Sequence, residues 1–271
     1  MHPLFALLIS IGVLAVWDSC KAETLSEKRQ RELAKLSEDA KGRALPNIEL
    51  TNVDGRKVRL SEYRGKPLLV TLVYTDCVDV CPTLIENLHP AVEAAGAALG
   101  YDSFSVITVG FDTRQDTPKK LKAFAQARGV DLPNWKFLSA DSDSLDALAR
   151  TVGFGFYSRP GGFDHFSQVS LIDSKGQLYG QVYGAVFNPP VVVEPLKKLV
   201  FGIDASLDSF SDIVDRIKFF CTVYDPRGGR YYFNYSLFIG LGIGLACLCL
   251  VMFVIMREWR RTSESEVRQS E

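Results

Sequence analysis

The segment Val70–Pro82, VTLVYTDCVDVCP, decides how the rest of this chain reads. An apolar, β-type run (Leu68–Tyr74) stops at Thr75-Asp76, and Cys77 and Cys81 follow at a spacing of four, with Pro82 next. Beyond it, Leu84, Ile85, Leu88, Val92 and Leu99 recur at helical spacing. Proline is accepted in the first turn of a helix, where no intrahelical N–H bond is lost. The two thiols are therefore expected in the turn between a buried strand and a helix N-terminus. There the macrodipole and free backbone N–H groups favour a thiolate.

Working outward, Phe104–Phe111 (FSVITVGF) is a near-continuous β-branched and apolar run, the pattern of a strand buried on both faces. Asp116-Thr117-Pro118 starts a helix to about Arg128, with Thr117 or Asp116 as cap. Trp135–Leu138 is a short strand, and Asp141 or Ser142 caps a helix to about Val152. Gly153–Phe163 reads as a loop ending in Asp164-His165. Gln168–Asp173 and Leu178–Tyr183 read as strands across a Ser174-Lys175-Gly176 turn, and Val191–Phe201 and Asp204–Phe219 as helices. Upstream, Leu45–Leu50 and Lys57–Leu60 form a hairpin around Asp54-Gly55. This alternation argues for an α/β sandwich with a central mixed sheet flanked by helices. A dithiol after an early buried strand narrows it to a thioredoxin-like fold.

The ends of the 271-residue chain have a different character. Pro3–Trp17 is an apolar run of signal-peptide length, so residues 1–22 are expected to be a signal peptide, with an uncleaved anchor as the alternative. Residues 23–43 are charged and read as a solvated spacer, 44–203 as the folded domain, and 204–235 as an extension of unknown role. Ser236–Met256 carries no charge over 21 residues, enough for one transmembrane helix. Tyr231, Tyr232 and Tyr235 stand at one end as interfacial aromatics, and Arg257, Arg260 and Arg261 at the other. The positive-inside rule then puts the tail 257–271 in the cytoplasm and the domain outside it. With a net charge of −1 and no basic patch, nucleic acid is not a partner. Six cysteines in such different settings do not make a disulfide scaffold. Cys247 and Cys249 lie in the apolar run as packing or lipid-facing residues, and Cys221 reads equally as a further thiol or an idle one.

Three histidines exist in the chain, which makes each one informative. His2 is in the leader, and His89, mid-helix and before Pro90, reads as a surface or packing residue. His165 stands just before the strand Gln168–Asp173, where a thiol-disulfide enzyme of this fold keeps a proline. Two thiolates and one imidazole are a soft donor set suited to Cu(I), and an added oxygen ligand would accommodate Cu(II). Zinc accepts the same donors but in structural sites takes four. The CxxxC spacing departs from the CxxC of disulfide exchangers, and i,i+4 placement lets both sulfurs face one side.

The chain resembles the Sco/SenC copper proteins of cytochrome oxidase assembly. The resemblance rests on TDCVDVCPT at 75–83, on Asp164-His165 followed by QVSLID, and on strand order across about residues 40–203. It implies Cys77, Cys81 and His165 as copper ligands, with Asp79 and Asp164 as neighbouring acidic residues. Asp79 reads equally as a helix-entry residue, and Asp164 as an acceptor orienting the imidazole. Val78 stands where many members have proline, Phe166 where a small polar residue is common, and the C-terminal span where many members carry an N-terminal one.

The expected function is a membrane-anchored metallochaperone in the bacterial inner membrane with its domain in the periplasm. It would deliver copper to the dinuclear centre of cytochrome c oxidase subunit II, or exchange it with another copper chaperone. The alternative is a thiol-disulfide oxidoreductase that reduces the cysteines of that centre through a redox-active Cys77–Cys81 pair, closing to a disulfide bond. A peroxidase lacks the Thr and Arg arrangement it needs, and a sensor would need a partner beyond the short tail Arg257–Glu271.

Overall fold

The structure, a computed structural model, describes residues 25–77, 80–202 and 210–269. The expected signal peptide and residues Val78 and Asp79 lie outside these. Among the described residues the main sheet has seven strands: β1 (Glu49–Asn52), β2 (Lys57–Arg59), β3 (Leu68–Val73), β4 (Ser105–Gly110), β5 (Trp135–Ser139), β8 (Gln168–Ile172) and β9 (Leu178–Tyr183). Their order is β2-β1-β5-β4-β3-β8-β9. Strands β6 (Phe156–Arg159) and β7 (Gly162–His165) form a separate hairpin.

The parallel core β3-β4-β5 is built around β3 and β4, which have no face to offer water. All six positions of β3 and of β4 are buried. Helix α2 (Val80–Leu99) connects β3 to β4 and buries Cys81, Leu84, Ile85, Leu88 and Val92 on one face. β8 adds antiparallel to β3, and β9 antiparallel to β8. The order β9-β8-β3-β4 around that β-α-β unit is the thioredoxin-like arrangement expected. The remaining helices cap as their sequences direct. Thr117, not Asp116, caps α3 (Pro118–Ala127) by accepting from Lys120 N, and Asp141 caps α4 (Ser142–Val152) by accepting from Ser144 N. Gly153 ends α4 in the left-handed region, with φ 61°. Asn52 Oδ1 closes the β1–β2 turn by accepting from Asp54 N and Arg56 N.

Three expectations need correction. Within the charged stretch 23–43, the described residues from Leu25 on are not a solvated spacer: helix α1 (Leu25–Glu38) packs on the domain, burying Leu33 and Ser37, and Ala40 follows it into the core. A buried polar network holds its end. Ser37 Oγ donates to Gln168 Oε1 at 3.0 Å, and Gln181 Nε2 donates to the carbonyls of Ser37 and Val152. The charge pattern concealed this because only one narrow stripe of α1 is apolar. Gly153–Phe163 is not simply a loop, since it contains β6 and the start of β7.

The extension after the domain is also structured. Helix α5 (Pro189–Val200) is followed by α6 (Phe210–Cys221) and the hairpin of β10 (Thr222–Asp225) and β11 (Arg230–Phe233). Lys197 of α5 is buried beneath it. Its ammonium donates to Thr222 O at 2.7 Å, pairs with Glu194 at 3.1 Å and lies over the Phe219 ring at 4.7 Å. Tyr231 is therefore part of the core and not an interfacial aromatic, its hydroxyl donating to Glu194 at 3.0 Å. The chain ends in α7 (Ser236–Gln269), whose first 22 residues, Ser236–Arg257, are long and apolar enough to cross a membrane and are not buried against the rest of the protein.

Candidate metal centre

Topology brings the two halves of the site to one edge. β3 and β8 run antiparallel with Thr71 opposite Val169, so the turn after β3 and the segment before β8 emerge at the same end of the sheet. The first supplies Cys77 and Cys81, the second His165. The turn is closed by Cys77 N donating to Tyr74 O at 3.2 Å. The Cys77 sulfur in turn accepts from the first-turn amide of Cys81 at 3.4 Å. Cys81 sits in the first turn of α2, pointing inward and almost fully buried.

His165 ends β7 and turns its Nε2 toward the sulfurs, 3.9 Å from Cys81 Sγ. Its other ring nitrogen, Nδ1, is buried and finds no hydrogen-bond partner among the described residues. The ring is held by aromatics at 5.3–6.0 Å between centroids: Phe111, Phe154 and Tyr74. Burial pushes the imidazole pKa below its usual value, against a smaller upward pull from the Phe166 backbone and Cys77, so the ring is neutral at pH 7 and able to bind a metal.

Asp164 does not orient the imidazole. Neighbouring residues of a strand face opposite sides, and its carboxylate pairs instead with Arg159 at 3.2 Å and Arg29 of α1 at 3.5 Å. Asp79 lies outside the described residues. His89 stays apart from the thiols, against Trp135 and 3.9 Å from Glu93, as a packing residue.

The expectation of a readily formed thiolate fails for Cys81. The hydrogen bond it shares with Cys77, reinforced by burial, pushes its thiol pKa upward. The Cys81 thiol therefore keeps its proton until something displaces it. Both cysteines are thiols here, not a disulfide. Among the described residues, no three His, Cys, Asp or Glu side chains stand already arranged as a metal cage. The 3.9 Å His165–Cys81 separation nevertheless comes within a few tenths of an ångström of two donors sharing one ion. Metal–sulfur and metal–nitrogen bonds of about 2.3 and 2.0 Å put such donors roughly 3.5–3.8 Å apart. The donor set is soft, and the unpaired imidazole edge gives the ring no competing role, so the residues present fit copper.

Two neighbours were not evident in the sequence. Tyr74 packs edge-on against Phe111 and Phe163, and its hydroxyl pKa is pushed up to about 12 by burial and its hydrogen bond to Cys77. Asp116, almost fully buried, braces the turn. Its Oδ1 accepts from Thr75 N at 2.8 Å and Thr75 Oγ1 at 2.7 Å, and its Oδ2 from Asp112 N at 2.8 Å. Gly110 lets this carboxylate lie close, since a Cβ there would strike Asp116. A cleft of about 310 Å3 opens over the site, lined by Tyr74, Cys77, Val80, Phe163 and His165, with Gln30 and Arg159 at its polar side. Cys81 lies behind this lining, so Cys77 and His165 are what a visitor meets first.

The SCO1/SenC family model matches residues 37–200, which spans the whole site. The chain belongs to the SCO1/SenC family. Among the relatives of this SCO1/SenC chain, the SCO1 protein homolog of Bacillus subtilis is 30% identical over 146 residues, covering 51% of this chain and 72% of that protein. Several others are matched over less than half their own length. The copper-bound ScoI of Bradyrhizobium japonicum superimposes with a TM-score of 0.50 at 24% identity, over 59% of this chain and 99% of that one. BsSco, a member of the Sco family of cytochrome c oxidase assembly proteins reported with a disulfide switch, gives 0.52 at 22%, over 59% and 94%. At these identities the two structures speak for the thioredoxin-like fold. Helices α6 and α7 and the β10–β11 hairpin lie outside the family match.

Proposed function

We propose that this SCO1/SenC chain is a membrane-anchored copper carrier that holds the ion through Cys77, Cys81 and His165 and hands it to the dinuclear copper centre of cytochrome c oxidase subunit II. The observation that carries the reading is the approach of His165 Nε2 to Cys81 Sγ, donors 84 residues apart in sequence. Family membership, copper in the Bradyrhizobium protein and the assembly role given for BsSco support it. The apolar helix Ser236–Arg257 would hold the domain on the outer face of the inner membrane.

Copper is cargo in this scheme. Binding requires Cys77 and Cys81 each to release its thiol proton, after which both thiolates and the neutral imidazole would donate to the ion. Transfer proceeds by ligand exchange: a thiolate of the target enters through the cleft beside Cys77 and His165 while buried Cys81 is the last to let go. Copper(I) titration of the full-length protein in detergent tests this. One equivalent bound, and lost on substituting any of the three residues, supports it; binding untouched by His165→Ala overturns it.

The hydrogen-bonded thiols favour one second reading. The pair could pass two electrons and two protons to a disulfide of the target, becoming a disulfide itself. That exchange does not use His165, so reduction of a target disulfide by the His165→Ala variant at the wild-type rate would identify it.

A further inference from the structure

The β10–β11 hairpin carries apolar side chains on both faces. On one face Tyr224 and Tyr231 pack with their rings tilted, centroids 5.2 Å apart, and Tyr231 docks over Lys197 and Glu194. On the other, Val223 and Tyr232, direct cross-strand partners, stand exposed. Ile217 and Phe220, one helical turn apart on α6, are exposed beside them in sequence, Phe220 to 73%. On that face of the hairpin the charged pair Asp225–Arg230 lies at the turn end, and the apolar pair Val223–Tyr232 lies at the end nearer the apolar helix. Asn234 and Tyr235 alone separate β11 from the apolar helix α7, so Phe233 cannot lie more than about 11 Å from its first residue. Phe233 in fact packs on Tyr235 at 4.9 Å and on Phe238 of α7 at 5.9 Å. Phe233 lies on the Tyr231 face, and the exposed Val223–Tyr232 pair stands beside it at the end of the hairpin that runs into a segment of membrane-crossing length.

From this we infer that Phe220, Val223, Tyr232 and Tyr235 form a seat in the headgroup–acyl boundary of the bilayer that α7 enters. Amphipathic aromatics favour that boundary, and an apolar face sinks about 5–10 Å into it. The opposite face of the same hairpin is bolted to the domain through Lys197, and β11 packs against α2, the helix that begins with the dithiol. The seat therefore fixes the height and tilt of the copper cleft above the membrane, which a flexible tether would leave free. The inference rests on reading α7 as a span, and goes beyond it.

The test uses the full chain in phosphatidylcholine–phosphatidylglycerol vesicles, with part of the phosphatidylcholine brominated on its acyl chains. Tryptophan is introduced by Phe220→Trp and by Tyr232→Trp, and by Val186→Trp, exposed to 74% in the loop after β9, as reference. The signal of the wild-type protein, which has three tryptophans, is subtracted. Seating in the boundary gives the Phe220→Trp and Tyr232→Trp variants signals quenched by brominated lipid about twofold or more above the reference and shielded from iodide. Iodide quenching equal to the reference overturns the seat, and shielding from both quenchers overturns it in favour of a second copy or another protein on this face. Failure of the chain to float with vesicles after carbonate washing removes the span and the seat together. Flotation with iodide-accessible tryptophans removes the seat alone.

Discussion

His165 Nε2 stands 3.9 Å from Cys81 Sγ, and Nδ1 of the same ring is buried with no hydrogen-bond partner among the described residues. An imidazole whose one accessible nitrogen faces a thiol pair is held for that pair. Its partners are aromatic faces, which restrain its position while leaving its lone pair available. The burial that lowers its pKa keeps it neutral at the pH where copper would bind.

Replacing His165 by alanine should lower copper(I) affinity by more than about 100-fold, since loss even of a ligand's outer partner costs 10–100-fold. Competition against a chromophoric chelator under reducing conditions measures it, with circular dichroism to establish the fold. In the wild type, affinity should weaken as pH falls below the ordinary imidazole value of 6.5 and the ring protonates.

Copper binding should release protons because the Cys81 thiol, with its pKa raised by Cys77 and by burial, remains protonated in the free protein at neutral pH. Calorimetry in buffers of different ionisation enthalpy should register about one proton or more per copper ion. Cys81→Ala should lower that release, leaving only the proton that Cys77 gives up. A wild-type titration without proton release would mean that the pair is already ionised.

Asp116 accepts three hydrogen bonds that shape the turn before Cys77. Asp116→Ala should cost about 2–4 kcal/mol by leaving buried donors unpaired, and copper affinity should fall with it. The pH dependence has a definite sign. Burial raises the folded-state pKa of this carboxyl above its ordinary 3.8, so between the two values the folded state binds more protons than the unfolded. Its contribution is fully present below pH 3.8 and is lost as pH rises through the folded value. Denaturant unfolding over acidic pH should show the wild type losing stability relative to Asp116→Asn as pH rises across that window.

Helix α1 is held by packing more than by charge. Leu33→Ala should cost about 2–5 kcal/mol by opening a cavity against Gly155. Arg29→Ala, which removes a half-exposed pair with Asp164, should cost less than about 1 kcal/mol. Thermal unfolding of the two variants separates the contributions. Equal effects would mean that the helix is only loosely docked.

By itself the sequence determined the parts whose signals are local. β3, β4 and β8 are dominated by β-branched and other apolar residues and are buried at every position, as a strand covered on both faces must be. Thr117 and Asp141 announce their helices by chemistry confined to one turn. The spacing of Cys77 and Cys81, and the scarcity of histidine, made a metal-binding reading possible before any coordinate.

Tertiary structure decided what depends on residues far apart in the chain. Asp164 looked like the partner of its neighbour His165, but strand alternation turns the two apart and delivers the carboxylate to Arg29 and Arg159. Asp116 looked like a helix cap until the fold laid it under Thr75, 41 residues away. The charged segment before the domain looked solvated because docking α1 needs only Leu33, Ser37 and Ala40 on one stripe, too sparse a pattern to stand out among charges. Tyr231 and Tyr232, adjacent and chemically identical, were separated only by the pleat of β11: one stacks into the core, the other is left facing outward.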